Sequence, residues 1–193
     1  MKSFPFPRFF GALRFVGAVT ENQLVRWFYD GDYAAARADI APAAAAGFIT
    51  VEAHIIRPRS TLEPIAVLTP GKTPPCPEQV AYAASKLWSP SLQPELVIRG
   101  TVKLAAFCGG HHSVIPSAQL SHEVALSSVF FAKQQLDPGF EWNLITQSGP
   151  RGGRVDAVSS DGTLIELVGR YSGVKVGGKL ALSAAIGATV ELW

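Results

Sequence analysis

The change of hydrophobic period between residues 20 and 68 constrains this chain most. Thr20 is an N-cap residue, and Gln23 follows three positions later, the spacing of a capping box. Leu24, Val25 and Phe28 supply one apolar helical face, and Gly31 ends the segment. Asp32 is placed to cap a second helix over 33–46, dominated by alanine and carrying Pro42 inside it, which predicts a kink or a division. Gly47 suits the position after the helix C-cap. The period then shortens to that of strands over 48–56 and 64–68. The turn Arg57-Pro58-Arg59-Ser60 lies between them, and 68–72 closes the unit.

Helix, turn, alanine-rich helix and a hairpin with basic residues at its tip resembles the winged-helix pattern. The likeness covers residues 18–72 and includes Ala45-Ala46-Gly47-Phe48-Ile49 before the wing and Val67-Leu68-Thr69-Pro70-Gly71-Lys72 after it. It implies a helix presented to the major groove and a wing reaching the adjacent phosphates of double-stranded DNA. The expected DNA contacts are Arg26 on the first helix, Arg37 on the second, and Arg57 and Arg59 on the wing, chiefly to phosphate. Arg37 stands beside Asp32 and Asp39, a poor complement for reading base edges. The same fold used for homodimerisation or protein contacts is the alternative. Residues 1–17 read as an aromatic arm with Lys2, Arg8 and Arg14, either packed on the body or touching a phosphate backbone.

Composition sets the class. Of 193 residues, 48% are hydrophobic and 17% charged, enough to bury a core and unlike a disordered chain. A formal net charge of +2 provides no global field toward nucleic acid, so any DNA affinity must be local. Two cysteines, Cys76 and Cys108, are too few for a disulfide framework. With no apolar run near the length of a membrane span and no signal-peptide pattern, the expected location is cytoplasmic.

Residues 73–118 read as a connecting region: a proline-rich linker over 73–77, a helix over 78–88, and a strand or short helix over 95–107. A strong helix is predicted over 119–135. Strand-like segments follow over 140–146, 154–158 and 163–168, the last two joined by the hairpin signal Asp161-Gly162. A final helix is predicted over 176–186 and a final strand over 188–193. The whole is expected to be α+β: an arm (1–17), a winged helix-turn-helix (18–72), a connection (73–118) and a small α/β domain (119–193).

Leu120-Ser121-His122-Glu123-Val124-Ala125-Leu126-Ser127 resembles the helix that opens the second half of the replication-relaxation proteins, winged-helix proteins of plasmids and other mobile elements. The scattered positions Trp142, Asp156-Ala157, Glu166 and Tyr171 extend the likeness. It implies a DNA-binding protein of a mobile element. The same stretch resembles the PD-(D/E)xK nuclease core, which places an Asp on one strand and Glu-x-Lys on the next. Two such carboxylates hold Mg²⁺, which polarises a phosphate. Asp156 and Glu166 fit the acid positions, but the lysine position is Val168, with Lys175 the nearest substitute. The expectation is therefore a degenerate nuclease-like domain without cofactor, and a Mg²⁺-dependent nuclease is the alternative.

Three further features have plain explanations. Cys108-Gly109-Gly110-His111-His112 lacks the second ligand pair of a structural zinc site, so no metal is expected there. His122 beside Glu123 is more commonly a hydrogen-bonded helix histidine than a general base. The loop 148–154 has backbone donors for a phosphate, with Arg151 and Arg154 added to the expected DNA surface, but it opens no helix and is no P-loop.

Overall fold

The computed structural model describes residues 7–59, 63–88, 91–109, 112, 114–145 and 155–193. In chain order its elements are α1 (Phe10–Leu13), β1 (Val19–Thr20), α2 (Glu21–Phe28), α3 (Tyr33–Ala45), β2 (Ile49–Ile56), β3 (Ala66–Leu68), α4 (Pro77–Leu87), β4 (Gln93–Gly100), α5 (Val102–Cys108), α6 (Leu120–Leu136), β5 (Trp142–Leu144), β6 (Ala157–Ser159), β7 (Leu164–Glu166), α7 (Gly173–Ile186) and β8 (Val190–Leu192). The fold is α+β. Its contacts form two units, each built from two stretches of chain: Met1–Ile56 with Leu92–Ser127, and Arg57–Ser91 with Ser128–Trp193.

Local chemistry starts the first unit. The Thr20 hydroxyl accepts the Gln23 N–H at 3.1 Å, and the Gln23 side chain accepts the Thr20 N–H at 2.8 Å, so two orphan donors of α2 are satisfied reciprocally. Asp32 caps α3 by accepting the Ala35 N–H at 3.0 Å. The helix ends in a Schellman motif: Phe48 N–H donates to the Ala43 carbonyl at 3.0 Å and Gly47 N–H to that of Ala44 at 2.9 Å. Gly47 has φ +74°, which glycine adopts without a side-chain clash. Pro42 does not divide α3; it falls in the last turn.

The first sheet has the order β1-β4-β2, antiparallel throughout. β2 and β4 pair over their full lengths, from Ile49 opposite Gly100 to Ile56 opposite Gln93. Ala18, Ile56, Val97, Ile115, Leu120 and Val124 form a buried cluster of this unit. The aromatic N-terminal segment is packed: Phe9, Phe10, Leu13 and Val16 are buried. An apolar segment of this kind gains more from burial than from reaching into water.

The second sheet has the order β3-β8-β7-β6-β5. All neighbours are antiparallel except β7 and β8, which run parallel. α7 supplies the crossover that a parallel pair requires. Leu68, Val80, Ala84, Leu164, Val168, Val176, Leu180, Val190 and Leu192 are among its buried core. Phe130, Phe140 and Trp142 form a tilted aromatic group with centroids 5.1–6.0 Å apart. The Asp161-Gly162 turn closes β6 onto β7: Gly162 has φ +84°, and Asp161 accepts from the Thr163 N–H at 3.0 Å and from the Ser159 hydroxyl.

Two expectations are corrected. Residues 64–68 do not return beside residues 48–56. β3 pairs with β8 in the second unit, and the partner of β2 is β4, beyond a whole inserted segment. Residues 73–118 are likewise not a linker, because they contribute α4 to one unit and β4 and α5 to the other. Both differences arise from long-range strand pairing, which a local turn signal does not report. Among the described residues, no helix is long and apolar enough to cross a membrane.

Candidate functional site

The candidate residues fall into two groups, one in each unit. In the first unit, Arg37 on α3 forms a bidentate pair with Glu21 on α2, at 2.6 and 2.9 Å. The Arg37 hydrogen bond holds the Glu21 carboxyl below its usual range. The Arg37 side chain remains 63% exposed, so the pairing orients it without hiding it. Arg26 is exposed in the last turn of α2, 5.3 Å from the centre of the Trp27 ring. Arg57 is half-buried. Arg59 is not the tip of a hairpin: it is buried in the second unit, because the hairpin does not exist. Arg151 and Arg154, with the glycine-rich loop around them, lie outside the described residues.

In the second unit, Asp156 and Glu166 stand on adjacent strands, as their separation across the Asp161-Gly162 turn predicted. Asp156 immediately precedes β6. Its N–H donates to the Ile165 carbonyl and its carbonyl accepts the Ile145 N–H, both at 2.9 Å, which ties it between β5 and β7. Its Oδ2 accepts the Leu167 N–H at 2.7 Å. Glu166 is the last residue of β7 and is fully buried. Burial, helped by the Asp156 charge, pushes the Glu166 carboxyl up to about 7 against the opposing pull of Lys179.

Lys179 is the residue that the sequence reading missed. From α7 its ammonium donates to Glu166 Oε2 at 2.9 Å, and both side chains are buried. Val176, Lys179, Leu180 and Ser183 are the buried positions of α7, spaced i, i+3, i+4 and i+7. A lysine on that apolar stripe was a readable signal that its ammonium faces a buried acid. Lys175, the expected substitute, is exposed and lies 3.4 Å from the centre of the Tyr171 ring. Tyr171 is held above its usual range, first by burial and then by the Glu166 and Asp156 charges.

Two groups here lack hydrogen-bond partners among the described residues: Glu166 Oε1 and all three guanidinium nitrogens of Arg59. Arg59 is 8% exposed and lies over the Trp88 ring at 5.3 Å, with a bridge between the two backbones. Burial lowers its pKa to about 10, opposed by the charges of Asp156 and Tyr171. Two neighbouring carboxylates offer the oxygen donors that Mg²⁺ takes, one or two carboxylates with several waters, and Glu166 also interacts with Lys179 and the Tyr171 hydroxyl.

The remaining candidates do not gather. Cys76 and Cys108 are free thiols. Burial raises the Cys108 thiol. His111 lies outside the described residues, and no group of three or more His, Cys, Asp or Glu is assembled among the rest. His122 Nδ1 is 4.0 Å from Glu123 Oε1 on the same helix. No family model, no curated protein and no solved structure matches this chain.

Proposed function

We propose that this chain is a DNA-binding protein of a plasmid or other mobile element, of the replication-relaxation type, with a winged helix in its first unit and a nuclease-like second unit. The observation that carries the reading is the antiparallel order β1-β4-β2 following the capped pair α2 and α3. A helix pair followed by a three-stranded antiparallel sheet supports a winged-helix reading, in which the wing hairpin would be opened by the segment inserted between β2 and β4. Arg26 and Arg37 contact phosphate, and double-stranded DNA is the partner. The test is binding of a labelled random duplex, read by fluorescence anisotropy across a salt series. Affinity falls steeply with salt, and the Arg26→Ala/Arg37→Ala variant loses about 2 from the slope of log K against log salt. Absence of binding at low salt would refute the reading and favour homodimerisation through the same fold.

A second reading, a Mg²⁺-dependent nuclease, draws on one observation: Lys179 donates to Glu166 Oε2, and in this reading it would take the role of the lysine absent at Val168. Asp156 and Glu166 would hold the ion, which would polarise a phosphodiester. Asp156 is fixed by the Leu167 N–H, Glu166 is kept close to it on the next strand, and Lys179 balances their charge. Plasmid incubated with Mg²⁺ is cut by the wild type and not by Asp156→Ala. Equal cutting by both proteins assigns the activity elsewhere.

A further inference from the structure

We propose that Arg59 anchors a phosphate-binding site in the second unit, near Asp156 and Tyr171, and that its ligand is a backbone phosphate of a nucleic-acid strand. The inference deepens the reading of the second unit as nuclease-like and rests on it.

A guanidinium is a planar fork of five donors, shaped for bidentate contact with a phosphate. Arg59 is 8% exposed, yet Nε, Nη1 and Nη2 have no acceptor among the described residues. A buried charge without hydrogen bonds is costly, and a water or an anion completes it. The Trp88 face satisfies the cation partly but accepts none of its in-plane N–H bonds. Asp156, within electrostatic range of Arg59, already commits Oδ2 to the Leu167 N–H.

The surroundings favour an anion. Arg59 lies within electrostatic range of Asp156, Lys179 pairs with Glu166, and Lys175 interacts with both acids from its place over Tyr171. The whole formal net charge of +2 belongs to this unit, because basic and acidic residues are equal in number over residues 1–56 and 92–127. An acid pair that handles a phosphodiester needs a separate cation to hold the strand, and Arg59 is a buried cation whose guanidinium donors are unused among the described residues.

The test uses the full chain in EDTA, in the Arg26→Ala/Arg37→Ala background so that the first unit contributes little. Labelled single- and double-stranded oligonucleotides are titrated by anisotropy, with inorganic phosphate as competitor. Arg59→Met is expected to weaken strand binding at least about tenfold, the loss of a charge-assisted bidentate contact. It is also expected to melt no lower than its parent, since it removes an unpaired buried charge. Arg59→Lys keeps the charge but not the fork, and is expected to bind with intermediate affinity; it also covers the case in which Arg59→Met does not fold. Unchanged affinity in Arg59→Lys and Arg59→Met overturns the proposal. Displacement of the strand by inorganic phosphate at the strand's own affinity overturns the strand as ligand. Strand binding that depends on Arg59, without cleavage in Mg²⁺, refutes the nuclease reading and leaves the phosphate site standing.

Discussion

The two units treat charge differently. In the first, Arg37 is clamped bidentately by Glu21, Arg99 reaches Glu52 at 2.6 Å, and Lys103 caps the C-terminal end of α3 by donating to the Ala46 carbonyl at 2.7 Å. Arg37 and Lys103 are exposed and Glu52 is 47% exposed, so water shares the cost of ionisation in each case, even where the partner Glu21 is buried. In the second, Glu166 and Lys179 are buried together, Glu166 Oε1 is unsatisfied, and Arg59 is buried with its donors unused. A fold that needed only stability would place apolar side chains at such positions. The contrast teaches that paired surface charges can support the fold and still leave Arg37 open to a partner, whereas buried charges with unused donors cost stability and make the second unit the place to test for a site.

Breaking the buried pair tests the contrast most severely. Lys179→Met strands the Glu166 carboxylate and should cost about 3–5 kcal/mol at pH 8, read by urea unfolding. The double variant Lys179→Met/Glu166→Gln should recover most of it. A cost below about 1 kcal/mol for Lys179→Met would show that the pair is not dry.

The pH dependence follows from the same carboxyl. Its pKa is raised from 4.5 to about 7 in the folded protein, so between those values the folded chain holds a proton that the unfolded chain has released. Its contribution is fully present below about 4.5 and is lost as pH rises through about 7. Wild type should therefore lose stability relative to Glu166→Gln between pH 5 and pH 8, and a difference independent of pH would contradict the raised carboxyl.

The first unit should respond more mildly. Thr20→Ala removes half of the capping box and should cost about 1 kcal/mol, visible as a lower melting temperature. The smallest effect is expected from Arg99→Ala. Its partner Glu52 is 47% exposed, so the loss should be at most about 0.5 kcal/mol and should vanish in high salt. A larger, salt-independent loss would mean that water does not share the cost of this pair.

Legibility in the sequence followed the range of the interaction. Thr20 with Gln23, Asp32, Gly47 and Asp161-Gly162 announced caps and turns that the structure contains, because each acts within a few residues. The order of helices and strands after residue 119 was read for the same reason, with strand bounds displaced by a few residues, and so was the juxtaposition of Asp156 and Glu166 across their turn. Lys179 was legible as a charge on an apolar stripe, but it lies 13 residues beyond Glu166, outside the Glu-x-Lys spacing. Arg59 carried no such pattern: nothing local distinguishes a turn arginine in water from one under a tryptophan.

By itself, then, the sequence determined the identity of most elements, their caps and the pairing of the acids, since backbone hydrogen bonds and side-chain period are local constraints. Tertiary structure alone decided which strands meet. Val19–Thr20 and Ile49–Ile56 both pair with Gln93–Gly100, and Ala66–Leu68 is drawn to Val190–Leu192 at the far end of the chain. Three-residue strands carry too little pattern to name a distant partner, and closing a long loop costs only slowly more than closing a short one. Burial of the apolar faces therefore chose the pairing, and with it the burial of Arg59 near Asp156.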